Sequence, residues 1–273
     1  MAQKAHPTIL RPATDPHRGS AYWDEARFYY LTSTIQKLIE SCCLGTNHYL
    51  QRIRIDRHLR YIFIEIDLIH LHYKSKRRFK SRRNIDGLDA LAGGSWVGVA
   101  CRLRYAMQLV QQFSGTRRVS LKIHRLKAYT RAIPKPARRR MSYFGKPFNR
   151  SRYDYARYGL QLLSLIVKGK ADASTFARFL DQNISSRKKG KRHYQFLAYI
   201  KQALRALEPY KQIEGLKIQI KGRFTQKAKG RSRTWTHQIG AMPMSQLDKN
   251  INAKYIQTHT AYGSVGIKVW VCL

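Results

Sequence analysis

The chain has 273 residues, of which 43% are hydrophobic, enough to core one large or two ordinary domains. Lys plus Arg number 53 against 15 Asp plus Glu, a formal charge of +38. No run of about 18 apolar residues occurs, which argues against a membrane-spanning helix, and the charge points to a nucleic acid as partner.

Residues 1–20 carry Pro7, Pro12 and Pro16 and read as extended, without a secretory apolar core or an amphipathic import helix. A helix is expected over 22–44, where Phe28, Leu31, Ile35, Leu38, Ile39 and Cys42 recur at three- and four-residue steps, with Gly45 placed to end it. Two strands follow. Ile53 and Ile55 share one face, as do Ile62, Ile64, Ile66 and Leu68, with His70 and His72 prolonging that line. The connector around Arg57 to Leu59 is short, so an antiparallel hairpin is expected. Glu65 and Asp67 then lie on the opposite face, within reach of Arg52 and Arg54 across the ladder. Ion pairs there are favoured over magnesium, and two histidines without a third ligand do not make a metal site.

Residues 74–83 hold seven Lys or Arg in ten positions, among them Lys76, Arg77, Arg78 and Lys80, with Phe79 offering a stacking face; this reads as an RNA-facing loop. A short helix is expected at 86–92. A longer one is expected over 97–113, with Val99, Leu103, Ala106, Met107, Val110 and Phe113 on its core side and Gly115 as its stop. Val119, Leu121 and Ile123 then alternate with polar residues as a third strand. Residues 131–152 contain eight basic residues, no acid, and three prolines. They read as a connecting insertion in which Arg138, Arg139 and Arg140 are ordered against RNA.

Three helices are expected next. Tyr155, Tyr158, Leu162, Leu165 and Ile166 mark the first. Phe176, Phe179, Leu180 and Ile184 mark the second, with Asp172 as N-cap. Leu197, Ile200, Leu204 and Leu207 mark the third, ended by Pro209, with Arg187, Lys188, Lys189, Lys191 and Arg192 just before it. The last sixty residues open with a strand that sorts Leu216, Ile218 and Ile220 from Lys217, Gln219 and Lys221. They close with one that sorts Val265, Ile267, Val269 and Val271 from Gly266, Lys268 and Trp270. Between them runs a basic loop with Arg223, Lys227, Lys229, Arg231 and Arg233. A small sheet with one apolar and one cationic face is a surface for polyanions. Cys42, Cys43, Cys101 and Cys272 form no Cys-x-x-Cys pair and read as idle thiols of a reducing compartment.

This last stretch also resembles the C-terminal domain of the small-subunit ribosomal protein S-three family. The residues that carry the likeness are Gly222 and Arg223, the strand from Arg231 to Thr236, Pro243 as the head of a short helix, and the closing run His259, Thr260, Tyr262, Gly263, Gly266, Lys268, Val269 and Trp270. The N-terminus is similar to the family's as well, through Gln3, Lys4, His6, Pro7 and Arg11. The resemblance implies that Lys4, His6 and Arg11 contact phosphates. It also implies a type II KH domain in the N-terminal half, whose nucleic-acid loop is Gly-x-x-Gly; here Gly93-Gly94-Ser95-Trp96 departs from that pattern. Family members place basic residues of the last helix along the channel that admits messenger RNA. Lys201 corresponds to one of them, and 187–192 stands in for two arginines that are absent after Phe196.

The expectation is therefore an α+β protein with a degenerate type II KH-like N-terminal domain and the ribosomal S-three C-terminal α/β domain, whose small sheet is mostly antiparallel. The expected segments are an arm at 1–21, the KH-like domain at 22–127, a basic insertion and linker helix at 128–171 and the C-terminal domain at 172–273. The implied function is that of a structural constituent of the small-subunit head with no catalytic site and no cofactor. It binds rRNA, partly through Lys268, borders the messenger channel, and neighbours ribosomal proteins S-ten and S-fourteen. A mitochondrial matrix ribosome is the expected location, with a plastid or a bacterial cytoplasm as alternatives. A free-standing RNA-processing enzyme and an RNA chaperone are the competing functions. The enzyme would need clustered carboxylates for metal ions, which fifteen scattered acids do not suggest.

Overall fold

The computed structural model describes residues 5–7, 10–11, 25–43, 48–58, 60–70, 96–116, 118–127, 135–136, 139, 154–185, 191–223, 231–260 and 262–273. The chain forms two compact units, Pro16–Lys127, and Met1–Asp15 together with Ala128–Leu273.

In the first unit α1 (Glu25–Cys43) leads into the strands β1 (His48–Arg57) and β2 (Tyr61–His70), followed by α2 (Trp96–Ser114) and β3 (Arg118–Lys127). β1 and β2 are antiparallel, β2 and β3 parallel, in the order β1-β2-β3. The even-numbered apolar residues of β2 decide the packing. Ile62, Ile64, Ile66 and Leu68 are completely buried, and they meet Ile35, Ile39 and Cys42 of α1 and Val99, Leu103, Ala106 and Val110 of α2. Each such side chain contributes about 1.5–3 kcal/mol by leaving water. Val110 is the last apolar residue of α2 that this core covers. The final turn runs beyond it, so Phe113, expected inside, is 77% exposed. Gly115, at φ +65, then reverses the chain.

The opposite face of this sheet carries the expected pair of Glu65 with Arg54, and β3 adds Lys122 and His124 to it. Glu65 Oε2 lies 3.3 Å from Arg54, and its Oε1 lies 3.2 Å from Lys122 Nζ and 2.8 Å from His124 Nε2. The hydrogen bonds from His124 and then Lys122 hold the Glu65 carboxyl below the usual carboxylate range. Among the described residues no three His, Cys, Asp or Glu are grouped to hold a metal.

At the start of β1, His48 is buried. Its ring lies 4.5 Å from that of His70 and 5.6 Å from Trp96. Burial first, then repulsion from His70 and Arg125, pushes its pKa down to about 4. A folded-state pKa below the unfolded value means that the unfolded chain binds the extra proton. The stabilising neutral ring therefore persists above pH ~6.5, and its contribution is lost as the pH falls toward 4. The unit should lose stability over that window with a slope of up to about 1.4 kcal/mol per pH unit. His48→Phe should flatten that part of the curve in urea titrations followed at several pH values.

The second unit stacks three helices, α3 (Asp154–Val167), α4 (Ala173–Ser185) and α5 (Lys191–Leu207), on a sheet. Its strands are β4 (Gly215–Gly222), β5 (Arg233–Gly240), β6 (Ile251–Thr260) and β7 (Gly263–Cys272). All pairs are antiparallel and the order is β5-β4-β7-β6. Leu216, Ile218, Ile220, Val265, Ile267, Val269 and Val271 are buried, as the alternation demands. α4 packs over β6 and β7, α5 reaches β5, and α3, expected in the connecting segment, packs against both α4 and α5. Phe176, Phe179 and Phe196 are at most 1% exposed and fill the space among the helices. Tyr199 ties α5 to α3 by donating to the carbonyl of Ala156 at 2.5 Å. Thr258, on the buried face of β6, donates to Asp181 of α4 at 2.7 Å.

Three expectations are corrected here. Lys191 and Arg192 do not precede the third helix; they form its first turn. The segment after Pro243 is a series of turns and bends rather than a helix, because its carbonyls are drawn to another partner described below. Trp270, on the face expected to be cationic, is 6% exposed and joins Ile251, Ala253 and Cys272 in a small cluster with Met242 and Tyr255.

Candidate nucleic-acid interface

The face of the second sheet that the helices leave open is built by register. One cross-strand row sets Thr236, Gln219, Lys268 and Tyr255 side by side, and the next sets Gln238, Lys217, Trp270 and Ala253. The alternation of β4 and β7 thus delivers lysines and aromatics to adjacent places. Lys268 Nζ stands 4.9 Å above the Tyr255 ring, and Lys217 Nζ lies 5.8 Å from that of Trp270. The indole donates to Tyr255 Oη at 3.2 Å and meets its ring edge-on. The Tyr255 ring fixes the height of a cation whose charge stays available, since Lys268 is exposed, while Lys217 beside Trp270 is half-buried. Lys221, one row further, is also exposed. Alternation alone marks Lys217 and Lys221 as polar-face residues without singling them out for binding. The signal that singles out Lys217 is its register opposite Trp270.

Beside this face the N-terminal segment is packed down. Arg11 is 3% exposed. Its guanidinium donates to the carbonyls of Lys249 at 2.9 Å, Pro7 at 3.1 Å, Met244 at 3.1 Å and Gln246 at 2.6 Å. The expectation that Arg11 contacts a phosphate is therefore corrected: its donors hold the 244–249 turn, which accounts for that turn's failure to form a helix. His6 packs edge-on against Tyr255 at 4.5 Å, and burial followed by repulsion from Lys254 pushes its pKa down. Glu214 closes the same end of the sheet, accepting from Lys249 and, at 3.4 Å, from Cys272. Burial foremost pushes the Cys272 thiol up, which keeps it protonated.

A second cationic strip lies on α5. Lys201 and Arg205 are exposed one turn apart, and the charge of both is felt at His237 of β5. Burial, then Arg205 and Lys201, lower the His237 pKa against the opposing pull of Glu208. Sequence reasoning misses Arg205, although its i+4 spacing from Lys201 marks the same helix face. Among the other expected residues Arg139, Arg231 and Arg233 are exposed and Arg223 is half-buried. Lys4, Lys76, Arg77, Arg78, Lys80, Arg138, Arg140, Arg187, Lys188, Lys189, Lys227 and Lys229 lie outside the described residues. So do His72, the helix expected at 86–92 and Gly93 to Ser95.

The sequence model of the family described as "Ribosomal protein S3, C-terminal domain" matches residues 180–271, from within α4 to the end of β7. Residues 180–271 are therefore similar to the C-terminal domain of ribosomal protein S3. The small ribosomal subunit protein uS3 of Acaryochloris marina is 31% identical over 106 residues, 39% of this chain and 40% of that protein. The uS3c protein of Chlorokybus atmophyticus is 32% identical over 109 residues, 40% of this chain and 46% of that protein. The uS3 protein of Mycoplasma capricolum is 36% identical over 101 residues, 37% of this chain and 40% of that protein. The chain spans less than half the length of these relatives. The S3-like match contains both cationic strips, since Lys201, Arg205, Lys217 and Lys268 all fall inside it.

Proposed function

We propose that the chain is a structural constituent of the small ribosomal subunit, held in its head by rRNA, and works without catalysis. The observation that carries this reading is the open face of the β5-β4-β7-β6 sheet, where Lys217 and Lys268 are seated on Trp270 and Tyr255 within the S3-like domain. Cations held on a rigid apolar-backed sheet replace the counterions of packed phosphates, and the release of those counterions favours assembly. Lys201 and Arg205 of α5, with Lys191 and Arg192 in its first turn, border the channel that admits messenger RNA. The basic loop around Arg223, Arg231 and Arg233 reaches rRNA or neighbouring head proteins such as S-ten and S-fourteen. The first unit is a KH-like scaffold in which the sequence Gly93-Gly94-Ser95-Trp96 departs from Gly-x-x-Gly, so gripping a specific sequence there is not part of its work. The high charge and that worn loop favour a mitochondrial ribosome.

Sedimentation tests the reading. The tagged chain should travel with small subunits at low salt and leave only when the particle is stripped; recovery in free fractions at low salt would refute it. The sheet's share is measured with purified protein and rRNA fragments. Replacing Lys217, Lys221 and Lys268 by Gln should flatten the plot of log affinity against log salt by about 0.9 for each phosphate no longer neutralised.

A further inference from the structure

Along β5, Arg233, Trp235, His237 and Ile239 fall on one face by alternation, in register with Gly222, Ile220, Ile218 and Leu216 of β4. His237 feels the charges of Lys201 and Arg205, so this is the face turned toward α5. β5 is an outer strand of its sheet, and its cover gives out along its length. Ile239 is buried, His237 and Trp235 are half-buried, and Arg233 is exposed. The Trp235 and His237 rings lie 6.0 Å apart, with planes at 41°. On α5, Lys201 and Arg205 are both exposed, and so is Ala198, one turn before Lys201. Glu208, in the short turn after α5, is the carboxylate that opposes the two cations at His237. The seam between α5 and β5 thus collects three cations from two elements and an indole flanked by an imidazole.

We infer that the α5–β5 seam is a binding site for an unpaired RNA strand, with Trp235 as the residue that stacks a base. The inference rests on the reading of the chain as an RNA-binding protein and deepens it, by naming the form of RNA and the side chain that selects it. An indole held in place by a strand and a neighbouring ring accepts a base by stacking, whatever the base. Arg233, on the same face of the strand, and Lys201 and Arg205, on the helix beside it, supply charge for the flanking phosphates. Duplex RNA hides its base faces and would gain only from the cations. The seam is separate from the open face that carries Lys217 and Lys268, because alternation turns Trp235 to the other side of the sheet. Trp270, on that open face, is 6% exposed and already packed, whereas Trp235 still reaches solvent. Messenger and ribosomal RNA share the chemistry the seam recognises.

The test titrates the full chain with a single-stranded RNA and with a duplex of equal charge. Trp235→Leu should weaken single-strand binding roughly ten-fold while leaving the duplex and the salt slopes unchanged, because stacking and not charge is removed. Trp235→Phe should recover most of that loss, since a phenyl ring still stacks. Lys201→Gln with Arg205→Gln should weaken both RNAs and flatten the single-strand salt slope by about 0.7 for each phosphate no longer neutralised. Circular dichroism checks that Trp235→Leu folds. If it does not, ultraviolet crosslinking of wild-type chain to the same strand replaces it, with crosslinks expected in the peptide bearing Trp235. Equal weakening on both RNAs, no weakening, or crosslinks confined to other peptides would overturn the site while leaving RNA binding intact. Failure of the wild-type chain to bind either RNA would overturn the underlying reading instead. In intact small subunits a crosslink from the Trp235 peptide to added messenger or to rRNA supports the site and identifies its source of strand, whereas a protein neighbour crosslinked there would refute it.

Discussion

Gly240→Ala should cost on the order of 4 kcal/mol and leave the second unit largely unfolded in mild urea. Two separate penalties add. Gly240 sits at φ +69, where a Cβ costs about 1–2 kcal/mol on its own. That Cβ would also stand 2.1 Å from the carbonyl oxygen of Glu214, a backbone atom in a paired strand end that cannot step aside. Its register partner Gly215 is as crowded, since a Cβ there would fall 1.8 Å from the oxygen of Ala241. The 3.2 Å hydrogen bond from Ala241 to Glu214 draws the two chains together at this point. Gly115→Ala is the control. That residue has φ +65 but nothing within 4 Å of the added carbon, so about 1 kcal/mol is expected there. Denaturant titrations read by tryptophan fluorescence would separate the two, and equal costs would show that the crowding is illusory.

Arg11→Leu should remove about 3 kcal/mol from the second unit, or roughly 10 °C of thermal midpoint. What goes is a charged donor set that satisfies four carbonyls, three of them more than 230 residues away in sequence. Arg11→Lys should recover little, because an ammonium lacks the planar fork that reaches several acceptors at once. Hydrogen exchange should quicken over 242–250. The RNA salt slope should stay put. A lowered slope with unchanged stability would mean that Arg11 touches phosphate after all.

The parts of this molecule that are legible in the sequence are those decided by local alternation. Ile62 to Leu68, Leu216 to Ile220 and Val265 to Val271 each state a buried face, and the structure buries those faces. The same rule misleads where burial has a second source. Trp270 stands on the polar side of its strand, yet Ile251 and Ala253 arrive from β6 to cover it, and no pattern within β7 announces them. The first half of β1 escapes notice because the register shifts between Leu50 and Arg52, which breaks the alternation and hides His48. Arg11 misleads for a related reason. A lone arginine in a proline-rich segment says nothing about acceptors so far along the chain.

The placement of β7 bears on how the protein is made. It lies between β4 and β6 in space but follows both in synthesis. β4 and β5 can zip into a hairpin as they emerge, while β6 has no partner until β7 has been translated. Until then the nascent apolar stripe of β4 stays unshielded on its β7 side, a hazard that stalled translation or a premature stop before residue 263 would prolong. A messenger cut short there would yield a sticky fragment, so quality control has more reason to intercept this chain late in its synthesis than early.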